Sequence, residues 1–315
     1  MQATEATTDV KATRSKMPSG AIELYQLFIH DVISRRAFVD GLQKYAVGGL
    51  TLAAVLEALM PNYAQAQQVR RDDDRIKATY ETIPSPNGNG FIKGYLVRPI
   101  SADTREEKIT KLAGVVVVHE NRGLNPHIED VARRFALEGF MAFAPDGLSS
   151  VGGYPGDDYN GALLFRKVDG KKMLEDMVAS AQWLKARADC TGKICATGFC
   201  YGGGVANNLA TRLGEDIAAV APFYGAVPME AEVAKIKCAV MVHHGALDTR
   251  LSATWPGYDK ELSAINVPHE GFIYPNAVHG FNCDATPERY NKEAATLAWG
   301  RTIDWFHKYS REKAA

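Results

Sequence analysis

Residues Gly114-Val115-Val116-Val117-Val118-His119 form an almost unbroken β-branched run. Such a run suits a strand covered on both faces, because each of its side chains needs an apolar neighbour. It asks for a mostly parallel sheet between two layers of helix, and the chain from about residue 75 keeps to that plan. Ala78–Ile83 and Phe91–Val97 read as strands, and the turn-rich segment Pro84-Ser85-Pro86-Asn87-Gly88-Asn89-Gly90 between them predicts a hairpin. Further strands are expected over Met141–Ala144, closed by Pro145, and over Lys193–Thr197, Ala218–Phe223, Ala239–His244 and Glu270–Tyr274. Between them, helical patterns cover Ile128–Glu138, Lys172–Ala188, Tyr201–Leu213, Trp255–Ile265 and Glu288–Tyr309. Sheets wound this way bind ligands at the carboxyl ends of their strands, so that is where chemistry is sought.

One such end carries Gly198-Phe199-Cys200-Tyr201-Gly202, between a strand and a helix. The form is G-x-C-x-G, the nucleophile elbow of α/β-hydrolases with cysteine in the place of serine. The turn is so sharp that side chains at the flanking glycines would clash, and Gly203 and Gly204 are expected to extend the close approach of backbones. The helix N-terminus beside Cys200 favours a thiolate. A structural cysteine near a Gly-rich helix start, or a phosphate loop, are the competing readings. The phosphate-loop spacing G-x-G-x-x-G is absent, and the motif stands late in the domain rather than in its first β-α unit.

The partners of an elbow follow it in the order acid, then histidine. Asp248 comes just past the strand Ala239–His244, and His279 just past Glu270–Tyr274. The expectation is that His279 takes the proton of Cys200 and that Asp248 fixes the tautomer of the ring. His243 and His244 end a strand and read as packing residues. His269 lies at the amino end of its strand, the wrong edge. Asp259 and Asp284 are weaker alternatives for the acid. The loop His119-Glu120-Asn121-Arg122-Gly123 follows the first central strand and is expected to supply one oxyanion-hole amide from Asn121, the second coming from Tyr201. Glu120 is expected close to Cys200, with a loop-fixing carboxylate as the plainer reading.

Taken together and in order, Gly198-Phe199-Cys200-Tyr201-Gly202-Gly203, Leu247-Asp248, His279-Gly280-Phe281 and His119-Glu120-Asn121-Arg122-Gly123 resemble the dienelactone hydrolase (carboxymethylenebutenolidase) family, over about residues 75–312. The resemblance implies an α/β-hydrolase fold, a Cys-His-Asp triad, a thioester acyl-enzyme and a small ester or lactone as substrate. It also implies that Glu120 matches a family glutamate that contacts the resting thiol and helps to activate it. The chain departs from the family in one respect. Members that hydrolyse dienelactone hold its carboxylate with arginines, one of them just after the histidine, and here Gly280-Phe281-Asn282-Cys283 follows instead. Arg166 and Arg250 are the arginines expected near the pocket, although neither matches a family position. His119, Arg122, Tyr154 and Phe281 are expected to line it, and the segment 147–156 to form its rim. No metal and no cofactor is implied. The alternative function is a non-catalytic relative with a redox-sensing or binding role; a peptidase would need an extended groove that the sequence does not announce.

Lys and Arg number 36 against 37 Asp and Glu, a balance that does not suggest a nucleic-acid partner. The mixed-sign stretch Arg70–Arg75 reads as a solvated linker. Five cysteines (Cys190, Cys195, Cys200, Cys238 and Cys283) form neither a zinc pattern nor a disulfide framework. Residues 1–66 differ in character from the catalytic domain expected over 67–315. A polar, disordered start over residues 1–20 precedes a helical segment over 21–60. Within the latter, Ser34-Arg35-Arg36-Ala37-Phe38-Val39 resembles a twin-arginine export motif, followed by the apolar stretch Tyr45–Met60 and the small-x-small site Ala64-Gln65-Ala66. Glu57 interrupts the apolar stretch, which is too short for a membrane span. Periplasmic export and a retained, cytoplasmic helical arm both remain open at this point, and the sequence does not set the oligomeric state.

Overall fold

The computed structural model describes residues 18–29, 32–46, 51–100 and 111–311. The chain divides into two compact units, Met1–Gln65 with Ala285–Glu288, and Ala66–Asp284 with Arg289–Ala315.

The first unit is helical where it is described. Its helices are Ser19–Ile29, Arg35–Leu42 and Leu52–Leu59. The expected disordered start lies outside the described residues except at its end, where residues 19 and 20 already belong to a helix. Ser34 caps the second helix by accepting a hydrogen bond from the Ala37 amide at 3.2 Å, the usual role of serine at that position. The tandem arginines therefore open a helix, with both side chains exposed. Phe38 is buried with Ala21, Tyr25, Leu42, Val55 and Leu59, and its ring stacks on Phe28 at 4.5 Å. Gly48 and Gly49 of the apolar stretch lie outside the described residues. Among the described residues, no helix is long and apolar enough to cross a membrane.

The second unit is built on an eight-stranded sheet. Its strands are β1 (Ile76–Ser85), β2 (Gly90–Pro99), β3 (Leu112–Val118), β4 (Met141–Asp146), β5 (Cys190–Phe199), β6 (Ala219–Phe223), β7 (Ala239–Gly245) and β8 (His269–Tyr274). Their spatial order is β1-β2-β4-β3-β5-β6-β7-β8. β2 pairs antiparallel with both of its neighbours, and every other pairing is parallel. The carboxyl ends of β3 to β8 therefore share one edge.

The valine run of β3 explains the layering. Val115 and Val117 pack into one apolar cluster with Phe135, Phe223 and Phe306, whereas Val116 and Val118 pack into a second with Met177, Leu209 and Leu262. Alternate side chains of one strand thus feed two cores, one on each face of the sheet. At about 25 cal/mol per Å² of apolar surface, full burial of each valine is worth roughly 1.5–3 kcal/mol.

Element ends depart from expectation where capping decides them. The closing helix spans Lys292–Ser310 and starts later than its apolar pattern, because Asn291 accepts a hydrogen bond from the Ala294 amide at 3.1 Å. A helix over Asp158–Phe165 was not foreseen; Asp157 caps it through the Asn160 amide at 2.8 Å. β4 runs on through Pro145, which pairs with Gly94 of β2, after its pairing with β3 has ended at Phe143.

Candidate active site

Gly198 and Gly202 flank Cys200 because nothing larger fits. A Cβ on Gly198 would lie 2.2 Å from the Gly202 carbonyl oxygen, and one on Gly202 would lie 2.3 Å from that of Val118. Gly203 is equally confined, 2.4 Å from the Phe223 oxygen, whereas a Cβ on Gly204 would meet nothing closer than 3.6 Å. The tight approach expected to continue into the helix thus ends one residue earlier than expected. Cys200 itself adopts φ 54°, a left-handed conformation rarely found outside glycine. Its amide donates to the Phe223 carbonyl at 3.1 Å, and the helix Tyr201–Leu213 starts at the next residue. Of the five cysteines, four are buried and Cys200 alone is partly exposed.

Asp248 and His279 meet beside it. The His279 Nδ1–H donates to Asp248 Oδ2 at 2.6 Å, with only 12% and 8% of the two side chains exposed. Burial opposes a charge on the ring, but the hydrogen bond to Asp248 and the attraction of Cys200 and Asp248 push His279 up to about 9. Burial likewise opposes the Asp248 carboxylate. The hydrogen bond from His279, the charge on that ring and nearby Arg250 hold it below its ordinary value. The competing residues are engaged elsewhere. Asp284 accepts from His127 at 3.0 Å and Asp259 lies 3.4 Å from His269. His243 is bonded to Tyr274 and Thr302 in the core. His244 is buried, and burial above all holds it neutral, down to about 4.

The loop after β3 brings further polar groups to the same edge. Glu120 is buried. Burial disfavours its charge, yet Arg289, Arg122, His127 and His279 hold its carboxyl below the ordinary value. Arg122 is also buried and pairs with Asp158 at 3.1 Å, and Asp158 accepts from the Tyr154 hydroxyl at 3.1 Å. Asp146 organises the segment 147–156: its Oδ1 accepts from the Leu148 amide at 3.1 Å and its Oδ2 from the Tyr154 amide at 2.8 Å. Asn121 lies in the turn, partly exposed, and Tyr201 is the first residue of its helix, so its amide has no partner within the helix.

Two residues expected to line a pocket have different positions. His119 is fully buried; Nδ1 bonds the Glu120 carbonyl, and Nε2 accepts from the Gly147 amide at 2.9 Å. Both ring nitrogens brace loops and neither is left for a ligand. Phe281 is 0% exposed and packs on Tyr224, Tyr274 and Phe223 behind the site, in the core.

Two residues were missed. Arg289 is buried, unlike Arg166 and Arg250, and is the cation that most stabilises the Glu120 carboxylate. The sequence placed it in the first turn of the closing helix, where nothing marked it. Tyr224 is buried at the end of β6, and its ring lies 5.0 Å from that of His279. Its place at a strand carboxyl end was a signal that could have found it. Among the described residues, no group of three or more His, Cys, Asp or Glu side chains is placed to hold a metal ion.

The sequence matches the model of the dienelactone hydrolase family over residues 92–310. It is 31% identical to an Escherichia coli O157:H7 protein described as "Putative carboxymethylenebutenolidase", over 78% of this chain and 92% of that one. A shorter Escherichia coli (strain K12) protein, "Putative hydrolase fragment YghX", is 56% identical over 120 residues, 38% of this chain and 97% of its own length. Among solved structures, a "Putative Dienelactone Hydrolase" from Klebsiella pneumoniae superposes with a TM-score of 0.63 at 28% identity, covering 74% of this chain and 99% of that one.

Proposed function

The chain belongs to the dienelactone hydrolase family of α/β-hydrolases, and from that premise we propose that it hydrolyses a small ester or lactone with Cys200 as nucleophile. The Cys200 sulfur attacks the carbonyl carbon while its proton is held on His279 Nε2, and Asp248 keeps Nδ1 as the opposite donor. The carbonyl oxygen takes up the negative charge and is met by the amides of Asn121 and Tyr201. When the tetrahedral intermediate collapses, the C–O bond to the leaving oxygen breaks, that oxygen takes the proton from His279, and a thioester remains. Water then gives a proton to His279, attacks the thioester and releases the acid, and the sulfur recovers its proton. Glu120, in this reading, contacts the resting thiol and moves off it as substrate enters.

The observation that carries the proposal is the 2.6 Å bond between Asp248 and His279, on a ring that also feels the charge of Cys200. The charges of the buried Arg122 and Arg289, both felt by Glu120, support an acyl part that bears a negative or strongly polar group. A panel of short p-nitrophenyl esters and five-membered lactones, with and without a carboxylate, tests it. We expect turnover, with the carboxylated lactones preferred at least tenfold in kcat/KM. No turnover on any member would overturn the assignment.

Residues 1–66 carry a separate proposal, export by the twin-arginine route with cleavage after Ala66. The motif and the Ala64-Gln65-Ala66 site support it; the burial of Phe38 in a helical core supports a retained arm instead. N-terminal sequencing of the native protein decides. A start at Gln67 would carry export, and an intact N-terminal segment would carry the retained arm.

A further inference from the structure

His279 belongs to no helix or strand. It stands in the segment 275–291, between the end of β8 and the start of the closing helix. A reactive group on an irregular segment keeps its place only through anchors, and a misplacement of about 1 Å can cost about 10²-fold in rate. Before the histidine the anchor is backbone: the Leu247 amide donates to the Ala277 carbonyl at 3.0 Å. After it, Gly280 turns the chain with a φ of +79°, and the Cys283 amide closes that turn on the Gly280 carbonyl at 3.1 Å. The next residue is Asp284.

The Asp284 side chain is 9% exposed and fully engaged. Its Oδ2 accepts from Arg134 at 2.6 Å and from Gln68 at 2.7 Å, and its Oδ1 accepts from His127 Nδ1–H at 3.0 Å. Burial opposes its charge, but His127 and Arg134 hold the carboxyl well below the ordinary value. His127 and Arg134 both belong to the helix Pro126–Leu137, which follows the loop of Glu120 and Asn121. Arg134 is itself fixed, since its Nε–H donates to Asp130 at 2.6 Å. Asn125 caps the helix through the Ile128 amide at 3.2 Å, and this places His127 in the first turn. The His127 side chain is 3% exposed, and its Nε2 has no hydrogen-bond partner among the described residues. Packing alone does not call for such a ring, because a leucine would fill the space without a stranded nitrogen. What the histidine supplies is the Nδ1–H bond to Asp284.

We propose that Asp284 is a positioning residue for His279: its carboxylate clamps the far side of the histidine's loop to the helix Pro126–Leu137, through His127 and Arg134, and so holds the ring at Cys200. Asp248 orients the ring, and Asp284 fixes the loop that bears it. The clamp also ties that loop to the helix after the oxyanion-hole loop, so the proton acceptor and the oxyanion donors keep one spacing. No covalent bond is made or broken. The inference rests on the proposed roles of Cys200 and His279.

The test compares the full-length wild type with Asp284→Asn, His127→Leu and His127→Asn, each assayed well below its melting temperature. An amide at 284 offers one oxygen and puts an N–H among donors. In Asp284→Asn, kcat on a short p-nitrophenyl ester is expected to fall about 30-fold with KM within about twofold, the size of loss that a shift of under about 1 Å produces. The pH at which iodoacetamide alkylates Cys200 at half its maximal rate is expected to rise by about one pH unit, because a displaced imidazole stabilises the thiolate less. His127→Leu should lower kcat about tenfold, whereas His127→Asn, whose amide can donate from the place of Nδ1, should stay within about threefold of the wild type. A group that only stabilises the fold would move the melting temperature and leave kcat and the alkylation profile unchanged. That result in Asp284→Asn overturns the inference, and so does an equal loss in the two His127 variants. If Asp284→Asn does not fold, the His127 variants decide alone. A wild type without ester turnover removes the proposed function, while the alkylation profiles still decide the role of Asp284.

Discussion

Replacing Cys200 with alanine is expected to lower the hydrolysis of short p-nitrophenyl esters by about 10⁴-fold or more, to a level near that of the oxyanion donors and binding alone. The fold should survive. Cys200 is partly exposed, the strained backbone at φ 54° is set by the glycines around it, and alanine is no larger than cysteine there. Circular dichroism and the melting temperature, measured beside the assay, separate lost chemistry from lost structure. Cys200→Ser should retain little of the activity, because a hydroxyl gives up its proton far less readily than a thiol and the site offers one imidazole to take it. Full activity in Cys200→Ala would move the chemistry elsewhere. A thiol that reacts with iodoacetamide in a protein with no turnover would instead favour the redox-sensing alternative.

The parts of this site that the sequence made visible are those that local rules determine. The elbow could be read because Gly198 and Gly202 have neighbours at 2.2 and 2.3 Å that permit no side chain. Asp248 and His279 could be read because a parallel sheet sends every strand end to one edge, so chain order becomes spatial order. The strands could be read from β-branched runs, and the two faces of β3 from strict alternation. What failed depended on contacts distant in sequence. Phe281 follows the histidine closely enough to suggest the pocket, yet its ring turns into the aromatic core. His119 ends the central strand, yet two backbone groups, one of them from the loop after β4, take both its nitrogens. Arg289 acts on Glu120 from a segment whose pattern read as the start of a helix, and only the cap at Asn291 shows that the helix begins after it. The helix over Asp158–Phe165, whose Asp158 pairs with Arg122, escaped notice because its residues lack an apolar stripe.

Asp248→Asn should produce the second large loss, about 10³–10⁴-fold in kcat/KM, and it carries a pH signature that a general weakening of the site would not. The carboxylate accepts from His279 Nδ1 at 2.6 Å. An amide can present its own N–H there, favouring the tautomer that cannot receive the proton of Cys200. The same bond contributes to pushing His279 up to about 9 in the folded protein, from an ordinary value of 6.5. A raised value means that the folded state holds a proton which the unfolded state releases sooner. The stability this provides is complete below about pH 6.5 and is lost as the pH rises from there through about 9. The melting-temperature advantage of the wild type over Asp248→Asn should therefore be largest near pH 6 and shrink steadily to pH 9.5. Asp248 stays ionised throughout that window, since its own value is lowered, so His279 is the member of the pair that titrates. A melting difference that is constant from pH 6 to 9.5, together with a rate within tenfold of the wild type, would leave Asp248 as no more than a neighbour of the ring.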